Sequence, residues 1–333
     1  MSSTVERLKT YVCRDDETKP SRSVTTTTLK MEWVNTGVGG SWSARAFHGV
    51  VRDNDDTLYL VGGENETGLL NDVWTSSTRG RTWTRVSASA AFRPRSRFGL
   101  VVMKDNTLLL LGGRVGLHEV SNDIWKSEDG GRSWKEVLIE GERWEAREQP
   151  IVAVLDDDSI ILTGGIGDKD SSVSPTVWRS TDMGQSWSKW SSAPEWKSPR
   201  PPVTGRILQT PYYILLLDTF QRRVWMSNDS GQNWTLTKKD APWFLNAEST
   251  IFPTTGVITV LGGESLNQPF SNDVYQGFNA GADWTVVPSF TTPTQWKPRV
   301  GHAAVTFDTD TIVFVGGKTS SSYVNDTWRG TSL

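Results

Sequence analysis

A tryptophan-bearing segment recurs along the chain at nearly constant spacing, and this repeat limits the fold more than any other feature of the sequence. Its first aromatic residue recurs at spacings of 51, 53, 47, 50 and 53 residues, at Trp74, Trp125, Trp178, Trp225, Tyr275 and Trp328. Upstream of it, an apolar run ends in a glycine pair in five of six copies, as in "LYLVGG" at 58–63. The fourth copy has "YILLLD" at 213–218 instead. The chain therefore contains six copies of one structural unit.

Each copy contains four short runs that favour β-strands. In the first copy these runs are "FHGVVRD" at 47–53, "TLYLVGG" at 57–63, "DVWTSS" at 72–77 and "TWTRV" at 82–86. They are rich in β-branched and aromatic residues and are separated by Gly, Asn and Asp turns, whereas no convincing amphipathic helix is present. Six such units predict an all-β fold, a six-bladed β-propeller with four-stranded antiparallel blades.

The two ends of the repeat predict how the ring closes. The last copy stops at "NDTWRGTSL" without a fourth strand, while "MEWVNT" at 31–36 is a spare strand with Trp33 as its tryptophan. We predict that 31–36 joins the last blade, which removes an exposed sheet edge and makes 31–333 a single propeller. Residues 1–30, with "TTTT" and scattered charges, are predicted to be a polar, flexible extension.

The repeat resembles a known family. The glycine pairs, the "NDVW" segment at 71–74 and "PRVGH" at 298–302 resemble kelch repeats over residues 31–333. A second resemblance overlies the first, because "SEDGGRSW" at 127–134 and two later copies match the Ser-x-Asp-x-Gly-x-x-Trp pattern of the Asp boxes in sialidases and many other propellers. The resemblance to kelch repeats implies the same propeller fold.

We interpret the Asp box as a structural feature rather than a metal or sugar site. Its Asp and Ser side chains can bond to backbone N–H groups of the turn, and its Gly can adopt a positive φ. Its tryptophan is expected to anchor the outer strand between neighbouring sheets. The loop also lies opposite the face on which propellers usually bind ligands.

A second repeated pattern is the candidate ligand site. Just before the innermost strand, an aromatic residue precedes Arg in five units and Asn in the sixth. The aromatic residue is Phe92 in the second unit, and the tryptophans are Trp42, Trp144, Trp196, Trp243 and Trp296. The polar partners are Arg45, Arg95, Arg147, Arg200, Asn246 and Arg299.

This pattern has two interpretations. Five guanidinium groups around the channel mouth would attract carboxylate, sulfate or phosphate, and the aromatic rings beside them would offer stacking surfaces. In the alternative, the arginines bond to neighbouring loops and carbonyls, and the tryptophans cover the groove between blades. The first interpretation predicts that Arg45, Arg147 and Arg299 point toward one opening.

Composition excludes several function classes. The net charge of −3 does not support a general role on nucleic acid or on anionic membranes. Cys13 is the only cysteine, so no disulfide framework is expected. The N-terminal "MSSTVERLKT" has no apolar leader, and no apolar run is long enough for a bilayer. These features favour a cytoplasmic or other intracellular location.

We predict a non-catalytic interaction module or scaffold that binds an acidic protein segment, or another anionic ligand, at this mouth. The alternatives are a carbohydrate-binding or glycan-processing propeller, for which two carboxyl groups at a defined separation are needed, and a constitutive subunit of a larger assembly. No complete catalytic constellation stands out, and no cofactor is expected. His48, His118 and His302 are the only imidazoles, and they do not predict a metal site.

Overall fold

Six four-stranded antiparallel sheets make up the structure, a computed structural model, and they confirm the six-bladed propeller. The structure describes residues 30–37, 41–168, 176–191, 204–264, 270–287, 296–307 and 310–332. The predicted extension at 1–30 lies outside the described residues apart from Lys30.

The first three blades follow one another in chain order. Blade one contains β2 Gly49–Arg52, β3 Leu58–Asn65, β4 Gly68–Ser76 and β5 Thr84–Ser87. Blade two contains β6 Gly99–Val102, β7 Leu108–Gly116, β8 Glu119–Ser127 and β9 Lys135–Glu136. Blade three contains β10 Ile151–Val154, β11 Ile160–Thr163, β12 Val177–Ser180 and β13 Ser188–Ser191.

The next two blades repeat this order, and the sixth uses both ends of the repeat region. Blade four contains β14 Gly205–Gln209, β15 Ile214–Asp218, β16 Arg223–Ser227 and β17 Thr235–Lys238. Blade five contains β18 Glu248–Phe252, β19 Val257–Leu261, β20 Val274–Phe278 and β21 Asp283–Val287. Blade six contains β22 Ala303–Phe307, β23 Thr311–Lys318, β24 Tyr323–Ser332 and β1 Met31–Gly37.

The N-terminal strand closes the ring as predicted. β1 pairs antiparallel with β24, and Asn35 lies opposite Trp328 while Trp33 lies opposite Gly330. The indole of Trp33 packs edge-on against Phe314, with ring centroids 5.3 Å apart. The last blade therefore has four strands like the others, although its outer strand comes from the start of the repeat region.

The hydrophobic core lies between successive blades. The apolar run of the second strand is buried in each blade, as in Leu58 to Val61 and Leu108 to Leu111, because sheets cover both of its faces. The glycine pair at the end of this strand allows close packing. A Cβ on Gly63, which has a φ of +102°, would lie 2.7 Å from the Cβ of His48. Only glycine fits there without displacing the inner strand.

The turn between the third and fourth strands is held by its own side chains. Asp129 accepts hydrogen bonds from the backbone N–H and hydroxyl of Ser133, and Ser127 accepts one from the N–H of Gly131. Although partial desolvation opposes the effect, these bonds lower the pKa of Asp129 to about 2. Trp134 donates its indole N–H to the carbonyl of Gly131 at 3.2 Å. All of these hydrogen bonds lie within the turn, so the Asp-box side chains stabilise the turn itself.

We define the upper face as the side that carries the hairpins between second and third strands. The segments that enter the inner strands lie on the same side, and the Asp-box turns lie on the opposite, lower face. The position of the inner strands around the channel therefore places any channel ligand against residues that precede or begin β2, β6, β10, β14, β18 and β22.

Candidate functional site

Three of the predicted arginines lie inside their own blades. Arg45 is completely buried and donates to the carbonyl of Gly62 at 2.8 Å and to both carboxylate oxygens of Asp72 at 2.6 and 2.8 Å. Arg95 and Arg299 repeat this geometry with Asp123 and Asp326. Although burial opposes the effect, the bidentate bonds of Arg45 lower the pKa of Asp72.

Arg147 has the same place in blade three without the acidic partner on the third strand. Its guanidinium donates to the carbonyl of Gly164 at 2.6 Å and to the exposed Glu145 carboxylate at 3.0 Å. Thr176 stands where the other blades have Asp. Burial therefore lowers the pKa of Arg147 to about 10. We call Arg45, Arg95, Arg147 and Arg299 the arginine clamp. The expectation that Arg45, Arg147 and Arg299 point toward one opening is wrong, because the clamp is enclosed.

The aromatic partners of the clamp are also internal. Trp42, Trp144, Trp243 and Trp296 are at most 1% exposed, and each contacts a tryptophan or histidine of the surrounding core. The guanidinium carbon of Arg45 lies 5.9 Å from the ring centroid of Trp42. These rings fill the space between blades and offer no surface on which a ligand could stack.

The "NDVW" segment joins these parts. Its Asp binds the clamp arginine and accepts the indole N–H of the hairpin tryptophan, as Asp72 does from Trp74 at 2.8 Å. Its Asn reaches the next blade, where Asn122 donates to the carbonyl of Trp144 at 3.1 Å. Asn272 and Trp296 repeat this contact. The motif is therefore a connector within and between blades.

Two of the predicted site residues, Trp196 and Arg200, lie outside the described residues. A third was placed in the wrong register. The bridge between Leu245 and Glu264 corresponds to that between Ala46 and Glu64, so Asn246 corresponds to Phe47 and not to Arg45. Two fewer residues separate the aromatic from the inner strand in blade five, a deletion that the aromatic spacing alone did not show.

A different set of residues surrounds the channel, two positions beyond the clamp. In five blades these residues have φ between 52° and 64°, and Gly205 has a φ of 153°. We call this set the channel ring: Phe47, Arg97, Gln149, Gly205, Asn246 and Gly301. Ring residues bond across blades, since Phe47 donates its backbone N–H to Gly301 at 2.7 Å and Arg97 donates to Phe47 at 3.0 Å.

Charged side chains collect above the channel ring at blades one to three. The Arg114 guanidinium pairs with Glu64, which also accepts the hydroxyl of Ser96 at 2.8 Å. Arg97 stacks on the ring of Phe47 at 3.5 Å. We call Glu64, Arg97, Arg114 and Glu148 the mouth cluster. Sequence reasoning missed it because its members are not repeated from blade to blade.

The mouth cluster is incompletely bonded. The Glu148 Oε2 lies 3.7 Å from the Nε of both Arg97 and Arg114, which is longer than a hydrogen bond. Within the described part of the chain, the Arg97 Nε and the Glu148 Oε2 are buried without a hydrogen-bond partner. Desolvation lowers the pKa of Arg97, and Glu148 opposes that shift. With 20% of Arg97 and 27% of Arg114 exposed, both cations are accessible from the mouth.

Deeper in the channel, one arginine links three blades. Arg206 of blade four uses its Nη1 to reach Glu248 and the carbonyl of Ser249 in blade five and the carbonyl of Ala304 in blade six. The channel widens at this level into a cavity of about 190 Å³. Its lining includes Arg97, Gln149, Arg206, Asn246, Glu248 and Gly301. The channel thus offers a polar chamber below the mouth cluster.

Three carboxylates near the channel have separate surroundings, each in a different blade. Glu64 is paired in the mouth cluster, and Glu264 accepts the side-chain N–H of Asn246 at 2.5 Å. Asp218 is fully buried, and desolvation raises its pKa to about 7. Across the described part of the chain, no group of three or more His, Cys, Asp and Glu side chains is arranged to hold a metal ion.

Within the same described residues, no helix is long and apolar enough to cross a membrane.

The comparisons with known proteins agree with the fold. The family model described as "KLHDC2/KLHL20/DRC7 Kelch-repeats domain" matches residues 12–214. The solved structure described as "Structure of YjhT" superposes with a TM-score of 0.65 at 15% sequence identity, over 88% of this chain and 96% of that one. At this identity the likeness concerns the fold alone. No curated protein matches the chain.

Proposed function

The chain belongs to the family of kelch-repeat domains, and from this premise we propose that it is a non-catalytic interaction module that binds a partner protein over the channel entrance. Kelch propeller domains are generally protein-interaction modules. The proposed ligand is an acidic segment of the partner, and the proposed contacts are Arg97 and Arg114 of the mouth cluster.

The observation that carries this proposal is the incomplete bonding of Arg97. Among the described residues its Nε has no hydrogen-bond acceptor, and its nearest carboxylate oxygen is 3.7 Å away. An incoming carboxylate would bond to the exposed part of this guanidinium, and charge-assisted bonds of this kind are roughly twice as strong as neutral ones. Stacking on Phe47 holds the guanidinium in place before the ligand arrives, which lowers the entropic cost of binding.

Variation among the upper hairpins supports the same location. The hairpin of blade two extends through Gly116 and Glu119, and bidentate bonds from Arg93 to Glu119 brace it at 2.5 and 2.9 Å. At its tip, Leu117 is 86% exposed. A braced hairpin with an apolar tip beside a charged entrance has the mixed composition of a protein-binding surface.

Quantitative capture from a lysate of the source cells tests the proposal. The double variant Arg97→Glu, Arg114→Glu is compared with Arg132→Glu, which carries the same type of charge reversal on an exposed Asp-box loop of the lower face. We expect the mouth variant to lose a captured protein that the wild type and the control retain, and we expect added salt to weaken that capture. Chemical unfolding first shows that each protein is folded. Equal capture by all three folded proteins would then refute the proposal.

A further inference from the structure

The channel ring is bonded along only half of its circumference. Backbone hydrogen bonds join Gly301 to Phe47, Phe47 to Arg97, and Arg97 to Gln149, which closes the seams from blade six through blade three. Among the residues that the structure describes, no such bond joins Gln149, Gly205, Asn246 and Gly301 in succession. The ring is therefore open from blade three to blade six.

The open half contains two backbone donors without a partner in the part of the chain that the structure describes. Leu245 and Glu264 exchange both backbone bonds, at 2.9 and 2.8 Å, so the next residue, Asn246, directs its N–H away from its own second strand. Val300 and Lys318 do the same at 3.0 and 2.8 Å, which turns the N–H of Gly301 away from β23. Neither N–H has an acceptor among the described residues.

Side chains add charge to these donors. Arg206 uses only Nη1 in its bonds to blades five and six, so Nε and Nη2 remain for a ligand, and 32% of its side chain is exposed. Gln149 lines the same cavity. The opposing charge in the lining is Glu248, whose Oε1 is already engaged by Arg206 and by the N–H of Ala304.

We propose that the open half of the channel ring binds a compact oxyanion, held by the N–H groups of Asn246 and Gly301, by Arg206 and by the Gln149 amide. A carboxylate or sulfate fits the cavity of about 190 Å³ and would supply the acceptors that the open seams lack. Outward backbone N–H groups around a small space are a recurrent way to bind anions. This site lies at the level of the channel ring and needs no partner protein.

Isothermal titration of the whole chain with succinate, sulfate and uncharged succinamide tests the proposal. We expect succinate or sulfate to bind and succinamide, which matches succinate in shape, not to bind. Gln149→Glu should weaken anion binding by roughly tenfold or more, because it places a carboxylate beside the site. Gln232→Glu, on an exposed Asp-box turn of the lower face, is the matched control and should bind like the wild type.

A second variant separates binding from folding, since Gln149 makes no side-chain bond that holds blades together while Arg206 does. Arg206→Gln should therefore lose both anion binding and stability, whereas Gln149→Glu should lose binding alone. The proposal is overturned if the anions and succinamide bind alike, if no anion binds, or if Gln149→Glu binds as well as its control. N-acetyl-aspartate N-methylamide in the same titration shows whether a peptide carboxylate or a free acid is preferred.

Discussion

Arg95 and Arg97 are two residues apart and have opposite roles. Arg95 has no exposed surface, and four of its five guanidinium N–H groups donate to Asp123 and to the carbonyls of Gly112 and Arg93. Arg97 lies at the channel, and its Nε has no acceptor among the described residues. The difference shows that periodic residues in this propeller build the blade, whereas residues that vary between blades are available to a ligand.

The same contrast holds around the whole ring. The clamp position is Arg in four of the described blades, and each time it donates to the carbonyl of the first glycine of the pair. Two positions later the six blades have five residue types, and only glycine occurs twice, at Gly205 and Gly301. A packing position tolerates few alternatives, while the channel ring can differ from blade to blade and so give the entrance an asymmetric surface.

Replacing Arg95 or Arg97 by alanine should give the largest difference in the free energy of unfolding. Arg95→Ala leaves the half-buried Asp123 without its counter-charge and should lower the free energy of unfolding by roughly 3–5 kcal/mol. Arg97→Ala should cost about 1 kcal/mol or less, because this side chain has no complete hydrogen bond to lose. Urea unfolding at pH 7 measures both values. Similar losses for the two variants would contradict the division of roles.

Two buried histidines beside the channel ring should make the stability of the protein depend on pH. Burial, reinforced by nearby clamp arginines, lowers the pKa of both His48 and His302 to about 3. An unfolded histidine titrates near 6.5, so the unfolded state binds protons first and stability falls as the pH drops from about 6.5 toward 3. Between pH 7 and 5 each histidine should account for about 2 kcal/mol of that loss.

Phe98 occupies in blade two the position that His302 has in blade six, so we choose phenylalanine as the replacement. His302→Phe should flatten the stability profile between pH 7 and 5, a window in which acidic groups with lowered pKa values, such as Asp72, stay ionised. Urea unfolding at intervals across this window measures the slope. An unchanged slope would mean that His302 is protonated, or solvated, in the folded protein.

Blade four provides the smallest expected effect. It has Asp218 where other blades have the second glycine of the pair, and burial raises the pKa of this carboxyl to about 7. The unfolded carboxyl ionises near 3.8, so stability falls as the pH rises from there to about 7. Asp218→Asn keeps the acceptor for the N–H groups of Phe220 and Gln221 and should stabilise the protein at pH 8 by about 1–2 kcal/mol.

The control for this variant is the same measurement at pH 4. Little or no gain is expected there, because the wild-type carboxyl is already protonated in the folded protein. A gain of equal size at both pH values would point to a change in packing rather than in charge.

The repeat made the fold predictable from the sequence. Six aromatic hairpins with upstream glycine pairs fix the number of blades, and the missing fourth strand after Trp328 indicates where "MEWVNT" must pair. The hydrogen bonds within the Asp-box turn were equally predictable, because those of Asp129 follow from residue types at fixed spacing. Such features are encoded within a few residues or repeated in register.

The candidate site was less predictable for a physical reason. Arg45 and Trp42 have the composition of a binding hot spot. However, the groups that accept the hydrogen bonds of Arg45 belong to the glycine pair and to β4, 17 to 27 residues away. Nothing in the segment itself shows this enclosure. The mouth cluster depends on contacts between blades, such as that of Arg114 with Glu64, and on the left-handed turn at Arg97.

Hydrogen–deuterium exchange of the chain, with and without the captured partner, would locate the binding surface. We expect binding to protect the upper-face segments 95–98, 113–116 and 147–150 and to leave the Asp-box turn at 127–134 of the lower face unchanged. Protection confined to the lower-face turns or to the outer strands would contradict the placement of the binding site at the channel entrance.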